Sequence, residues 1–268
     1  MEKVKLTEND DIFIRDRGRD GVGCGWVNND GHLYFINRKK GEAYRLPDKY
    51  KDTPIVLYHP CGGFHEGLIM VSLLGEIRLQ YHHSFFDTAG MWGWIDPEGN
   101  EVIPPQYVFA MSFFDGRAVV CKGDWSVDKR GRYWCENEQW GIIDKKGKEI
   151  VPCRFDEIFD IEGTDRFILC HEGGWEKGRQ CVFDVEKGKV ILELESYFDG
   201  SYMFNECCFE NGMIVFDEHE AGQEKDIISA YSVADEKWLV YREPYEGREL
   251  NGKTRIVVNK DGQDIVVF

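Results

Sequence analysis

Two pairs of adjacent side chains, His82-His83 and Cys207-Cys208, are the best candidates in this chain for metal coordination. Neighbouring residues on a β-strand point to opposite faces, so neither pair can easily share one ion. The chain also lacks the CxxC, HExxH and HxH spacings that bring ligands to one side of an element. We therefore expect no metal and no other cofactor, with the histidines in a polar loop and the thiols half-buried.

Nucleophilic and acid–base catalysis have equally weak support in the sequence. No GxSxG motif is present, and nine cysteines with seven histidines produce pairings by chance. The glycine-rich stretches Cys61-Gly62-Gly63-Phe64 and Gly173-Gly174-Trp175 precede no predicted helix, so they lack the helix N-terminus that binds phosphate and are interpreted as turns. We expect no enzymatic activity.

The overall charge limits the class of partner. Lys and Arg total 33 against 49 Asp and Glu, which gives a formal net charge of −16. Such a chain repels nucleic-acid backbones and anionic membranes, so we expect a protein partner, possibly a basic one. The odd cysteine count, the start MEKVKLTENDDIFIRD and the lack of a run of about 18 apolar residues predict a soluble, cytoplasmic protein.

The elements that would carry a functional site come from an internal repeat. Residues 91–120 align with residues 139–170, and the two Trp-Gly dipeptides start at Trp92 and Trp140, 48 positions apart. Each copy predicts a short strand, a tight turn opened by Asp and closed by a left-handed Gly, and a returning strand. We expect Pro104 and Pro152 to end the returning strands, because proline cannot donate to a ladder.

Looser copies extend this pattern along the chain. The N-terminal copy can be read in two registers, one starting at Gly25-Trp26 and one at Ile36-Asn37. Downstream hairpins are predicted around 182–192, 229–240 and 257–267, and further strands at 68–71, 118–120, 167–169 and 213–216. The sequence therefore predicts about five or six units of about four strands each, with essentially no helix.

The pattern from Trp92 to Tyr107 and from Trp140 to Phe155 resembles the bacterial WG repeat. This resemblance implies an all-β, β-propeller-like array that serves as an interaction surface, with no catalytic motif to carry over. We expect one domain over 1–268, with the best units at 91–138 and 139–180 and degenerate units at 11–90 and 181–268. Pairing of the terminal strands 11–15 and 264–268 would close the array, and an open β-solenoid is the alternative.

The conspicuous residues of the repeat have structural interpretations. Trp92, Trp94 and Trp140 recur at regular places on strands, which predicts that they fill the core between sheets. The acids Asp96, Asp144 and Asp184 open turns, and this position accounts for them without a bound cation. The repeat itself therefore predicts a scaffold.

The insertion between the two best units, residues 123–135, exceeds what the repeat needs. It is locally basic in an acidic chain, and exposed Trp, Tyr and Arg dominate binding hot spots. We predict a partner-binding patch there, formed by Trp125, Arg130, Arg132, Tyr133 and Trp134. The alternative is a long hairpin whose aromatic rings pack on the neighbouring unit. The loop 199–205 is a weaker second candidate.

Three functions follow from these observations. The first is a non-catalytic binding module or adaptor that presents loops from a rigid β scaffold. The second is an acidic immunity or inhibitor protein that neutralises a basic bacterial toxin, because opposite charge would speed association. The third is a carbohydrate-active enzyme of the propeller type, which would require a cleft with carboxylates of shifted pKa.

Overall fold

A computed structural model of the chain describes residues 2–17, 23–50, 64–73, 77–78, 88–127, 129–130, 133–174, 178–194, 206–218, 227–250, 253–260 and 263–266. These residues form 26 strands and one 3-10 turn at Asp48–Tyr50, and no α-helix occurs among them. The predicted all-β class is therefore confirmed. The predicted features at 61–63, 82–83 and 199–205, together with Arg132 and Trp175, lie outside the described residues.

The chain divides into two compact units, Met1–Phe155 and Asp156–Phe268. The strands of the first unit are β1 (Glu2–Lys5), β2 (Ile12–Arg17), β3 (Gly23–Val27), β4 (Tyr34–Asn37), β5 (Glu42–Arg45), β6 (Phe64–His65), β7 (Leu68–Ser72), β8 (Ile77–Arg78), β9 (Thr88–Ala89), β10 (Trp92–Ile95), β11 (Glu101–Tyr107), β12 (Phe109–Ala110), β13 (Arg117–Val127), β14 (Tyr133–Asp144) and β15 (Glu149–Phe155).

The second unit contains the remaining strands. They are β16 (Glu157–Asp160), β17 (Phe167–Glu172), β18 (Arg179–Asp184), β19 (Lys189–Leu194), β20 (Glu206–Glu210), β21 (Met213–Glu218), β22 (Ile227–Ser232), β23 (Lys237–Pro244), β24 (Glu246–Leu250), β25 (Lys253–Lys260) and β26 (Gln263–Val266).

The strands form a succession of small antiparallel sheets. Sheet 1 has the order β1-β5-β4-β3-β2, sheet 2 is β6-β7-β10-β11 and sheet 3 is β12-β13-β14-β15. In the second unit, sheet 4 is β16-β17-β18-β19, sheet 5 is β20-β21-β22-β23 and sheet 6 is β24-β25-β26. A separate ribbon, β8-β9, lies in the connection between β7 and β10. Sheets 2 to 5 therefore have the predicted four strands.

The turn between the third and fourth strands of a sheet forms as predicted. Asp96 Oδ1 accepts a hydrogen bond from the Asn100 N–H at 2.8 Å, and Gly99 has a φ of 89°. Asp144 Oδ1 accepts bonds from the Lys146 and Lys148 N–H groups at 2.8 and 2.9 Å. The carboxylate thus satisfies backbone donors that the tight turn would leave unpaired.

Sheet 1 decides between the two N-terminal registers. Its third and fourth strands in the β2-β3-β4-β5 meander are Tyr34–Asn37 and Glu42–Arg45, joined by a turn that ends at Gly41 with a φ of 63°. The hairpin equivalent to the Trp-Gly hairpins therefore follows the register that starts at Ile36-Asn37. Gly25 lies one strand earlier, on β3.

The prediction that Pro104 and Pro152 end their strands is wrong. Both β11 and β15 continue past the proline, to Tyr107 and Phe155. Between the Trp92–Tyr107 and Trp94–Ile103 pairs, β11 advances four residues while β10 advances two, which is a bulge. Each proline lies in such a bulge on an outer strand, where no ladder partner needs its missing N–H.

This bulge explains why glycine follows tryptophan in the repeat. A Cβ on Gly93 would lie 2.5 Å from Ile103 O and from Pro105 N, and a Cβ on Gly141 would lie 2.7 Å from Val151 O. Only glycine therefore allows the bulged strand to approach so closely.

The later sheets lack the dipeptide because their bulges are smaller. In sheet 5, β23 advances three residues while β22 advances two, from the Ile228–Glu243 pair to the Ala230–Val240 pair. Ser229 occupies the position that corresponds to the glycine of the Trp-Gly dipeptide, and its Oγ accepts a hydrogen bond from the Arg242 N–H at 2.8 Å. In sheet 4, strands β18 and β19 stay in step on either side of Cys181. A side chain is therefore tolerated at both positions.

The core of the first unit lies between stacked sheets, because alternate residues of sheet 2 face opposite neighbours. Ile69 and Ile95 pack with a cluster from sheet 1 that includes Phe35 and Tyr50. Trp94 packs with a cluster from sheet 3, in which its ring centroid lies 5.1 Å from that of Phe113. Burying one indole removes roughly 200 Å² from water, which contributes about 5 kcal/mol before entropy costs.

The tryptophans of the repeat are largely core residues, as predicted. Trp92 and Trp94 are buried, whereas Trp140 is half-buried and stacks on Phe109 with ring centroids 5.8 Å apart. The second unit follows the same plan. Ile214 and Phe216 of β21 pack towards sheet 4, and Val215 between them packs towards sheet 6.

Candidate functional site

The longest hairpin of the fold contains the predicted binding patch. β13 has 11 residues and β14 has 12. β12 pairs with β13 at Phe109–Cys121 and Ala110–Val120, and β15 pairs with β14 from Trp140 onward. Beyond these points, in the described part of the chain, β13 and β14 pair only with each other. We call the part formed by residues 124–127 and 133–136 the distal ribbon.

The base of the distal ribbon is anchored by Trp125. Its Nε1 donates a hydrogen bond to Gly90 O at 3.0 Å, and its ring contacts Phe109 edge-on with centroids 5.6 Å apart. Val108, Cys121 and Cys135 belong to the same cluster. Trp125, which the sequence predicted as a contact residue, is therefore half-buried and has a structural role. The alternative interpretation of the insertion, a hairpin whose aromatic rings pack, describes this residue.

The end of the ribbon exposes three large apolar side chains. The exposed fractions are 51% for Val127, 40% for Tyr133 and 41% for Trp134. Val127 lies opposite Tyr133 in the ladder and Ser126 lies opposite Trp134. Residues directly opposite share a face, so Tyr133 and Val127 lie on one face of the ribbon and Trp134 on the other. At this end of the ribbon both faces therefore expose a large side chain.

Cationic residues occupy the turn between the two strands. Lys129 and Arg130 are exposed there, next to Val127. The predicted patch is thus brought together in part: Arg130, Tyr133 and Trp134 lie at the end of the hairpin, and Arg132 falls outside the described residues. The sequence analysis did not include Val127 in the patch. An apolar residue within the insertion, close to the predicted contact residues, was the signal that could have identified it.

Polar contacts hold the ribbon in its orientation. Trp134 Nε1 donates to Glu136 Oε1 at 2.7 Å, and Asn137 Nδ2 donates to Asp124 Oδ2 at 3.1 Å. Asn137 has a φ of 57°, and the register shifts between Lys122 and Asp124, so a bulge separates the distal ribbon from sheet 3. Bulges of this kind bend a strand and re-aim its side chains.

Two thiols of sheet 3, Cys135 and Cys153, are unsuited to nucleophilic catalysis. Burial raises the pKa of Cys135 to about 12 and that of Cys153 to about 12, so both stay protonated near neutral pH. Cys207 packs towards sheet 4 and Cys208 towards sheet 6, which is the opposed arrangement predicted for neighbouring residues. In the described ranges, no group of three or more His, Cys, Asp or Glu could hold a metal ion.

Two carboxylates, Asp184 and Glu66, have structural partners. Burial would raise the pKa of Asp184, but hydrogen bonds from Arg166, with Arg166 Nη2 at 2.7 Å, and from the Glu186 and Lys187 N–H groups outweigh it and lower the pKa. Burial would likewise raise the pKa of Glu66, and bonds from Gly116 and Lys145 lower it. Such lowered values stabilise the ionised form, whereas a general acid needs a raised one.

These observations define an all-β chain of repeated antiparallel sheets that carries one protruding, aromatic hairpin. The sequence profile of the WG-containing repeat matches residues 92–124 and 140–175. The resemblance predicted from the two Trp-Gly segments is therefore confirmed, and these segments are WG-containing repeats. The first copy runs from β10 to β13, so it supplies the last two strands of sheet 2 and the first two of sheet 3.

Comparison with solved structures gives distant neighbours. The structure of putative TolB from Agrobacterium tumefaciens has 12% identity and a TM-score of 0.28, with 84% of this chain and 78% of that chain covered. Oligogalacturonate lyase in complex with manganese has 10% identity and a TM-score of 0.25, with 99% and 96% covered. Comparison with curated proteins gives no match. No helix in the described part of the chain is long and apolar enough to cross a membrane.

Proposed function

We propose that this chain is a non-catalytic protein-binding module, which contacts its partner through the end of the β13–β14 hairpin. The observation that carries the proposal is the exposure of Val127, Tyr133 and Trp134 on a ribbon that extends beyond its sheet. Tyr and Trp supply large contact areas at low conformational-entropy cost, and together with Arg they dominate binding hot spots. Arg130 adds a cation beside them.

The anchoring of the ribbon supports this proposal. The contacts of Trp125 with Gly90 and Phe109 hold the base of the ribbon before any partner arrives. Binding by a preorganised element loses less conformational entropy than binding by a flexible loop. The exposed rings can therefore contribute most of their burial energy to affinity.

We propose further that the successive sheets are the blades of a propeller-like array of about five or six units. The support is the repeated four-stranded meander and the packing of neighbouring sheets within each unit. Small-angle X-ray scattering tests this proposal. A closed array of this length should have a radius of gyration of about 18 Å, and a clearly larger value would favour the open solenoid.

The binding proposal is tested by affinity capture from the native cell with the wild-type chain and three alanine variants. Trp134→Ala and Tyr133→Ala should each weaken recovery of the partner, by about 2 kcal/mol or roughly thirtyfold in Kd for a hot spot. Tyr241→Ala is the matched control, because Tyr241 is 49% exposed on β23, a strand of the second unit. It should leave recovery unchanged.

A stability measurement separates binding from folding in the same variants. Trp134→Ala should change the free energy of unfolding by no more than about 1 kcal/mol, since the residue is 41% exposed and bonds an exposed carboxylate. Trp125→Ala should cost about 3 kcal/mol, because it removes a packed ring. Equal recovery of the partner by wild-type chain and by Trp134→Ala, with the fold intact, would refute the proposed site.

A further inference from the structure

The backbone of the distal ribbon has an open edge. This edge is a feature of the hairpin separate from its exposed side chains. In the described part of the chain, β14 from Tyr133 to Glu136 pairs with β13 and with no other strand. The backbone N–H and C=O groups on its outer side have no ladder partner there. An edge of this kind is a template for another strand.

Two outer strands of sheets 2 and 3 carry prolines, and the edge of the distal ribbon does not. β11 has Pro104 and Pro105, and β15 has Pro152, at the bulges on the outer edges of sheets 2 and 3. The segment 133–136 reads Tyr-Trp-Cys-Glu, without proline or lysine. Proline and lysine, two of the devices that prevent pairing at an edge, are therefore absent from this segment.

From this we propose that the partner of the hairpin is an extended segment of a protein with carboxylates near one end, which adds as a strand beside Tyr133–Glu136. The inference rests on the proposed function and names the class of partner for the same site. An added strand points alternate side chains to the two faces of the ribbon. It therefore reaches Tyr133 on one face and Trp134 on the other, which a partner covering a single face would not do.

The charge of the partner follows from the turn. Between Val127 and Tyr133 the sequence has Lys129, Arg130 and Arg132 against one acid, Asp128, in a chain of net charge −16. A strand lying along this edge ends beside the cations, where carboxylates are attracted and further cations repelled. Strand addition supplies affinity through main-chain hydrogen bonds, and the alternate apolar side chains supply specificity.

The test starts from a display library of random linear peptides. The library is selected on the immobilised wild-type chain and counter-selected on Trp134→Ala, and the enriched peptide is then synthesised. The expected sequence alternates apolar residues and has carboxylates near one end. Hydrogen exchange followed by mass spectrometry should show slower exchange of the amides in 133–139 when this peptide is bound.

Backbone methylation of the peptide gives the decisive readout. N-methylation keeps the side chain but removes one donor, so methylation at alternate positions should weaken binding about tenfold and at the positions between them much less. Binding at the hairpin without slower exchange, or without this alternation, overturns strand addition and leaves the proposed binding site standing. Failure to enrich any peptide on wild type over Trp134→Ala also overturns strand addition. The proposed function is tested separately, by capture of the native partner.

Discussion

Replacing the glycine of the second Trp-Gly dipeptide, Gly141→Ala, tests the physical explanation of the repeat. The new Cβ would lie 2.7 Å from Val151 O, 2.8 Å from Cys153 N and 2.8 Å from Cys153 Sγ. Two of these atoms belong to the backbone of the bulged strand β15, so rotation of a side chain cannot relieve the contact. The strand itself must move away from β14.

The expected cost follows from two opposing effects. Overpacking in a close-packed region costs about 1–3 kcal/mol, and contacts with backbone atoms belong at the upper end. Alanine also restricts the unfolded chain, which returns about 0.4–1 kcal/mol. We therefore expect Gly141→Ala to lower the free energy of unfolding by about 2 kcal/mol, or the melting temperature by roughly 4–8 °C for a chain of this size.

Urea denaturation followed by tryptophan fluorescence measures this change, with Gly188→Ala as the control. Gly188 has a φ of 64° in the turn after β18, and no heavy atom lies within 4 Å of the Cβ position. Alanine at position 188 has only the cost of the left-handed backbone conformation, about 1 kcal/mol. This cost is reduced by the same restriction of the unfolded chain. If Gly141→Ala proved no more destabilising than Gly188→Ala, the close-approach explanation of the Trp-Gly dipeptide would be wrong.

Further predictions concern the ion pair and the thiols of the fold. Arg166→Met leaves the buried carboxylate of Asp184 without its cation and should lower the free energy of unfolding at neutral pH. Because the pKa of Asp184 is lowered in the fold, this stabilisation is complete above the unfolded pKa of about 4 and is lost as the pH falls through the folded pKa. The difference between Arg166→Met and wild type in urea titrations should thus shrink in acid, and a constant difference would contradict the assignment. Burial raises the pKa of Cys121 and Cys135, so both should react with a chromogenic disulfide reagent at pH 7.5 far more slowly in the native chain than in urea. Equal native and unfolded rates would show that these thiols are accessible.

Local signals in the sequence identified the hairpins correctly. The turn at Asp96 to Gly99 is determined within a few residues, because the Asp carboxylate caps the turn and Gly99 takes the left-handed conformation. Strand ends were less predictable. The rule that proline ends a strand failed at Pro104 and Pro152, because it ignores that an outer strand has a free side and can bulge.

The candidate site shows a similar division. Composition and repeat spacing were enough to find the insertion, because residues beyond the repeat have no role in its ladder. They could not separate Trp125 from Trp134, which have the same residue type and lie on paired strands of one hairpin. The difference arises from Gly90 and Phe109, which are distant in sequence and contact Trp125.

By itself, the amino-acid sequence determined the all-β class, the Trp-Gly hairpins and the location of the protruding segment. These features depend on residue type, on alternation and on turn chemistry, which act over a few neighbouring positions. Only the tertiary structure decided which tryptophan is an anchor, why glycine must follow tryptophan, and which strand keeps an open edge. Those properties depend on distances between segments far apart in the chain, and such distances are defined only when the sheets pack against one another.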